Sequence, residues 1–180
     1  MMITKLSYNI TESSKKWKHW VSKLMFTTCQ MCRMNHGRIF PIDEEVEEYV
    51  PAHIFCKCVI EPMRTIKSGS VTYSGILGAE VYLKMFGKLP NKYIDKETAK
   101  ENGWENWKGN LSDVLPGKLI GGDIYQNRER KLPYAPGRVW YEADINYTFG
   151  FRSKSRIIYS NDGLIFVTYD HYSTFYEVID

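Results

Sequence analysis

From Arg138 to the C-terminus the chain is written in four short segments, VWYEADI, SRIIYS, LIFVTY and TFYEVI, rich in β-branched and aromatic residues. Segments of that length and content, bounded by polar breaks, predict strands. Asn161-Asp162-Gly163, between the second and third, supplies the tight turn of a hairpin, so the strands run antiparallel. Ahead of them the pattern is helical. Leu77, Val81 and Met85 recur at four-residue spacing within Gly75 to Phe86, with Ser74 as a cap. A second helix is expected over Lys96 to Asn102, capped by Asp95 and stopped by Gly103, and a third over Leu111 to Val114, closed by Pro116-Gly117. Helices first and an antiparallel sheet afterwards define an α+β fold, with the helices packed on the sheet.

The stretch before these elements has a different character. All four cysteines lie within residues 1–74, and so does the whole formal charge of +3, because cations and anions balance from Gly75 to Asp180. These shifts predict two units: a cysteine-rich module over residues 1–63 and a second domain over 74–180, joined by a polar linker over 64–73. With 43% hydrophobic and 25% charged residues in 180, the composition is that of a globular chain rather than a disordered one. Apolar runs such as Leu164 to Val167 fall far short of the ~20 residues a membrane span needs. The opening MMITKLSYNITESSKKWKHW carries no apolar stretch of the secretory kind. The expectation is a protein made in the cytoplasm, with any export by a specialised route as part of a larger effector.

A helix is expected from about Ser13 to Met25, and a cysteine-bearing loop after it. Cys29 and Cys32 form C-Q-M-C, Cys56 and Cys58 form C-K-C, and His53 stands three places before Cys56. Two close pairs on distant segments are how a small, loop-rich module offers a tetrahedral thiolate cage to zinc. Its binding energy then becomes folding energy for a segment with little core. Cys29, Cys32 and Cys58 are the firmest ligands, and Cys56 and His53 compete for the fourth place. Two disulfides are the other reading, favoured only in an oxidising compartment. The acidic run Asp43 to Glu48 lacks the alternating oxygen ligands and turn glycine of a calcium loop, and is expected to be a solvated face.

The segments TCQMCRMNHGRIFPID and PAHIFCKCVIEP resemble the cysteine motif near the end of phage head-morphogenesis (minor head, Mu F-like) proteins. His36 stands where that motif usually has an acidic residue before Gly37, and Ile54 where it has proline. The resemblance covers only about residues 20–62 and implies a small pre-toxin or attachment module rather than a capsid function.

In the second unit, strand alternation puts Trp140, Glu142 and Asp144 on one face. Arg152 and Arg156 follow, and His171 is the unit's only histidine, placed in a loop between two strands. One glutamate, one histidine and a few cations suffice to split RNA without a metal. The carboxylate takes the 2′-hydroxyl proton, the imidazolium protonates the departing 5′-oxygen, and the cations hold the charge that builds on phosphorus-bound oxygens. Cations near Glu142 should depress its pKa.

From Lys88 onward the blocks KLPNKYI, KGNLSDV, GGDI, NRE, EADINYT, GFR and DHY occur in order and nearly without gaps. Together they resemble the barnase-like, guanyl-preferring microbial ribonucleases. The resemblance implies that Glu142 is the general base and His171 the general acid. Arg152 and Arg156 clamp the phosphate, and Lys96 adds a further phosphate-stabilising cation. Asp123 either supports that cationic cluster or steadies its own turn. Tyr125, Gln126, Asn127, Arg128 and Glu129 form the guanine loop, although Tyr125 and Gln126 replace the family's phenylalanine and serine. Glu129 would accept the N1–H and exocyclic amine of guanine. Arg128 would contact phosphate or brace the loop. Tyr172 would stack on a base or ribose, or simply pack. No cofactor is needed for catalysis.

The resemblance also implies an RNA substrate and a toxin-like role. A barstar-like acidic inhibitor would then be expected to cover Lys96, Arg128, Arg152 and Arg156. The other reading is a zinc-stabilised structural or RNA-binding protein whose ribonuclease-like domain is inactive.

Overall fold

The computed structural model describes residues 10–46 and 49–180, and for Ile10 and Thr11 the backbone alone. The first nine residues of the opening segment, and Glu47 and Glu48 of the acidic run, lie outside the described residues. In chain order the elements are β1 (Ile10–Val21), α1 (Gln30–Asn35), β2 (Ile39–Pro41), β3 (Val59–Lys67), a short 3-10 turn (Gly75–Leu77), α2 (Ala79–Phe86), β4 (Tyr93–Ile94), α3 (Lys96–Glu101), a second 3-10 turn (Asn106–Lys108), α4 (Leu111–Val114), β5 (Leu119–Ile124), β6 (Trp140–Asp144), β7 (Arg156–Ser160), β8 (Ile165–Thr168) and β9 (Tyr176–Ile179).

The fold is α+β, as the C-terminal pattern requires, but its sheet is mixed. Among the described residues nine strands run in the order β2-β1-β3-β9-β8-β7-β6-β5-β4. The pairings β3 with β9 and β4 with β5 are parallel, and the rest are antiparallel. No helix among the described residues is long and apolar enough to cross a membrane.

The helix expected over Ser13 to Met25 is instead strand β1. Trp17 and Trp20 are spaced like one face of a helix, yet on a strand of period two they point to opposite faces. That is what the packing requires. Trp17 joins Ile39, Met63, Trp140, Ile158, Phe166 and Phe175, whereas Trp20 joins Cys32, Phe40, Val46 and Cys58. The cross-strand partners obey the same parity, with His19 opposite Ile39 and Lys18 opposite Phe40. β1 therefore separates two cores.

The expected linker is also corrected in part. Arg64 to Lys67 complete β3, where Thr65, Ile66 and Lys67 pair with Glu177, Val178 and Ile179 of β9. Ile66 and Val71 are fully buried, beside Ala79, Leu83, Ala143, Ile157 and Val167. Burial of two apolar side chains offsets the polar composition that suggests a solvated tether.

α2 is shorter than its sequence pattern and turned to another face. Ser74 makes no side-chain cap, and the helix begins after Gly78, whose extended backbone resets the phase behind the 3-10 turn. Leu77 and Met85 are 77% and 68% exposed, while Ala79, Glu80 and Leu83 are buried. A side chain at Gly78 would collide with the carboxylate of Glu80 and the hydroxyl of Thr72, so the break belongs there. The α3 cap is the one expected: the Asp95 carboxylate accepts from Thr98 N at 2.7 Å.

Candidate active site

Glu142 sits in the middle of β6, opposite Asp123 of β5 and Ile158 of β7, so its backbone is fixed by strands on both sides. Lys96 opens α3 immediately after the Asp95 cap, and two contacts bring it to the sheet. Its backbone N–H donates to Asp123 Oδ1 at 3.2 Å, and its ammonium donates to Glu142 Oε1 at 2.5 Å while lying 3.8 Å from Asp123 Oδ2. On the other oxygen of Glu142 the Tyr172 hydroxyl donates at 2.5 Å. Burial alone would push the Glu142 carboxyl up. The Lys96 and Tyr172 hydrogen bonds, with the charges of Lys96 and Arg152, outweigh it and hold the carboxyl below its ordinary 4.5.

Two residues further along the same face, Asp144 is fully buried and anchors both arginines. Arg152 grips it with Nε at 2.6 Å and Nη2 at 2.8 Å, and Arg156 Nε lies 2.9 Å away. Arg156 also donates to the carbonyls of Ser153 and Ser155. Burial would lower the Arg152 guanidinium, but Asp144 overrides it and keeps the charge firmly in place. A carboxylate shared by two fixed guanidinium forks holds them rigid for an anion.

His171 and Tyr172 occupy the loop between β8 and β9 with φ of 61° and 69°, two consecutive left-handed residues that cost backbone strain. Asp170 holds the turn. One of its oxygens accepts from the Thr168 hydroxyl at 2.8 Å and from Ser173 and Thr174 N–H at 3.0 and 2.9 Å. The His171 ring is left exposed to solvent, and its backbone N–H donates to Lys154 O at 3.1 Å. A turn that must sacrifice favourable φ angles to present an imidazole is the kind of strain found at working sites.

Facing this loop, Tyr125 to Glu129 follow the end of β5. Asn127, at φ 45°, ties the loop shut by exchanging hydrogen bonds with both backbone groups of Leu132, at 2.9 and 3.0 Å. Tyr125 stacks on Tyr172 with ring centroids 5.1 Å apart. An open groove of about 450 Å³ results, lined by Glu142, His171, Tyr172 and the whole loop from Tyr125 to Glu129. Lys96, Asp123 and Arg152 reach it through Glu142, and the charge of Arg156 is felt at Tyr172. Arg128 is exposed, and Glu129 pairs with Lys131 at 2.8 Å. Of the residues expected to act together, Glu142, His171, Tyr172 and the loop from Tyr125 to Glu129 line the groove, whereas Lys96, Asp123, Arg152 and Arg156 are not on its lining and are tied to it through Glu142 and Asp144.

Sequence reasoning left Asp144 and Lys131 without a role. The E-A-D alternation already puts Asp144 on the face of Glu142, and the two arginines that follow were the signal that it would be their anchor. Lys131 gave none. It reaches the site because Asn127 closes the loop, and its ammonium then donates to Tyr172 O at 3.0 Å.

The cysteine module carries a second cluster. No two of its cysteines are bonded to each other. Cys29, Cys32 and His53 form one close group, and Cys32, Cys56 and Cys58 another, either able to hold a metal ion. His53 Nε2 lies 3.1 Å from Cys29 Sγ and 3.4 Å from Cys32 Sγ, and Cys32 and Cys56 sulfurs are 3.8 Å apart. Two thiolates on one tetrahedral zinc, each at about 2.3 Å, stand about 3.8 Å apart. The other ring nitrogen of His53 is 2.8 Å from Ile54 O and donates to it, so that Nε2 is the ring nitrogen turned toward the sulfurs.

With this geometry in view, the comparisons with known proteins are direct. The family model for ribonuclease matches residues 79–179. A ribonuclease of Bacillus pumilus is 41% identical over 140 residues, covering 72% of this chain and 86% of that protein. Ribonucleases of Heyndrickxia coagulans and Bacillus intermedius are each 52% identical over 101 residues, or 56% of this chain, covering 93% and 62% of those proteins. The chain belongs to the ribonuclease family, in its microbial, barnase-like branch, and it is an endoribonuclease. These matches lend no support to the likeness of residues 20–62 to phage head proteins.

The depressed Glu142 pKa gives the activity a testable pH dependence. If Glu142 serves as the base, a carboxyl held below its ordinary value stays ionised to lower pH, and the acid limb of kcat/KM should fall below pH 4.5. Lys96→Gln removes the hydrogen bond and a charge, and should move that limb to higher pH. The same depression contributes stability above the ordinary carboxylate range, which is lost as pH falls through the lowered value. A pH–rate series on both proteins checks the shift; an acid limb that stays put would leave Lys96 without this role.

Proposed function

We propose that residues 74–180 are a catalytic unit that cleaves single-stranded RNA, with preference after guanosine, by metal-independent transesterification. The observation that carries this reading is Glu142, gripped by Lys96 and Tyr172, on the wall of the groove that also exposes His171. Glu142 takes the 2′-hydroxyl proton as that oxygen attacks the adjacent phosphorus. The P–O bond to the 5′-oxygen breaks, and His171 gives that oxygen its proton. A 2′,3′-cyclic phosphate and a free 5′-hydroxyl result. Hydrolysis of the cycle runs the roles in reverse, with His171 drawing a proton from water and Glu142 returning one to the 2′-oxygen. Lys96, Arg152 and Arg156 carry the negative charge that develops on the phosphoryl oxygens. Asp123 supports Lys96 from below.

Guanine preference rests on Glu129, whose carboxylate would accept two donors that adenine lacks, while backbone N–H groups of the same loop would bind the base oxygen. Tyr172 and its stacked neighbour Tyr125 offer an aromatic edge to the ribose or base.

For the cysteine module the reading is one structural zinc, bound by Cys29, Cys32 and Cys58, with Cys56 and His53 competing for the fourth place. Four protein ligands leave no open position for water, so the ion would fasten loops rather than catalyse. The module then serves folding or attachment in a toxin delivered by a specialised route and restrained in its producer by an acidic inhibitor.

An RNA oligonucleotide with a single guanosine tests the cleavage reading. Cutting is expected after that nucleotide and should vanish when it is replaced by 2′-deoxyguanosine, because the nucleophile belongs to the substrate. Cutting of the deoxy substrate at the same bond would refute it. Metal analysis of the purified protein should return about one zinc per chain; none would dismiss the zinc centre and leave the ribonuclease untouched.

A further inference from the structure

A groove of about 800 Å³, larger than the one that holds Glu142 and His171, lies next to it. The two share part of a wall, since Ile124, Tyr125, Gln126 and Asn127 line both. The far side of the larger groove comes from the cysteine module: Arg38, Phe40 and Glu44, with Arg130 and Tyr134 on the ribonuclease side.

This wall is built in. Ile39 N donates to Lys131 O at 2.7 Å, and the Ile39 side chain is buried in one cluster with Leu132 and Trp140. At Gly37, φ +79°, a Cβ would come within 2.8 Å of Ser173 O, so glycine lets the module's backbone lie directly against the loop that carries His171. The groove is therefore a fixed concavity continuous with the site and shaped by two segments far apart in sequence.

Its chemistry is that of a single-stranded nucleic-acid surface. Arg38 and Arg130 are exposed, the Arg38 guanidinium lying over the Phe40 ring and donating to Asn35 Oδ1 at 3.4 Å, and Tyr134 is 86% exposed. Arg138 also borders the groove, but its guanidinium is engaged by Asp162. Among the described residues Glu44 is the one acid on the lining. Exposed guanidinium groups hold phosphates, and an exposed aromatic face stacks a base without regard to its identity.

We propose that this second groove binds RNA beyond the nucleotide being cleaved, so that the cysteine module supplies part of the substrate site. The inference rests on the reading of the smaller groove as the cleavage site, and adds a requirement for longer substrates to it.

The test compares a guanosine-containing dinucleotide with an RNA octamer holding one guanosine, for the wild-type chain and for Arg38→Ala/Arg130→Ala and Tyr134→Ala variants. All three residues are exposed, and the dinucleotide serves as the folding control. Cleavage of the dinucleotide should be unchanged. For the octamer kcat/KM should fall about five- to tenfold in the double arginine variant, mainly through KM. Binding of an octamer made uncleavable by 2′-deoxyguanosine should lose about 1.4 units of its slope against log salt in the double arginine variant, since each of two phosphate contacts contributes about 0.7. An octamer cleaved and bound with wild-type affinity and slope by the double variant would overturn the proposal, as would equal losses on both substrates. If the arginines govern octamer binding but no substrate is cut, the groove stands and the ribonuclease reading of the neighbouring site falls.

Discussion

Asp144→Ala is expected to destabilise the protein by about 3–5 kcal/mol, because it strips the shared partner from two guanidinium groups that remain largely buried. Asp144 is 0% exposed, and the Arg152 and Arg156 side chains are 15% and 5% exposed. Neither can turn to water without breaking its fit, and Arg156 is further pinned by two carbonyls. Chemical denaturation measures the loss. A double-mutant cycle gives the cause: Arg152→Ala should cost much less in the Asp144→Ala background than in the wild type, since the charge it removes is already unpaired. Additive losses would show that Asp144 supports the sheet by packing alone.

The other large effect falls on activity. Glu142→Gln and His171→Asn should each lower kcat/KM by about 10²–10⁴, or about 3–5 kcal/mol of transition-state stabilisation. The choice of replacements matters. Glutamine keeps one oxygen to accept from Lys96 and turns an amide N–H toward the Tyr172 hydroxyl, which can accept it, and asparagine tolerates the left-handed backbone at position 171 better than most residues. Both proteins should fold and should bind a 2′-deoxyguanosine oligonucleotide as the wild type does. A variant that loses binding in step with turnover would assign its residue to substrate holding instead of proton transfer.

The two halves of the chain differed in how far their sequence could be read. β6 to β9 are short, β-branched or aromatic and separated by a clear turn, so local pattern and tertiary structure agree. That Glu142, His171 and the loop from Tyr125 to Glu129 would come together was legible because they lie within long, ordered blocks whose spacing is that of a known family. β1 was not legible. Its two tryptophans mimic a helix face, and only the presence of a core on each side of the strand makes the alternate reading stable. The exposed Leu77 and Met85 misled for the same reason, since periodicity reports an apolar face but not which neighbour will cover it. Ile66 and Val71, isolated in a polar stretch, gave no hint that β3 would extend the sheet of the ribonuclease unit through β9. The join between module and enzyme is a tertiary fact, and so is the groove it creates.

The chemistry of the cut ends tests the central claim most directly. Wild-type protein in buffer without added divalent metal should convert a guanosine-containing RNA to fragments ending in 2′,3′-cyclic phosphate and beginning with 5′-hydroxyl, and Glu142→Gln should form neither at a comparable rate. Fragments that begin with 5′-phosphate, or cleavage that requires an added divalent ion, would contradict it.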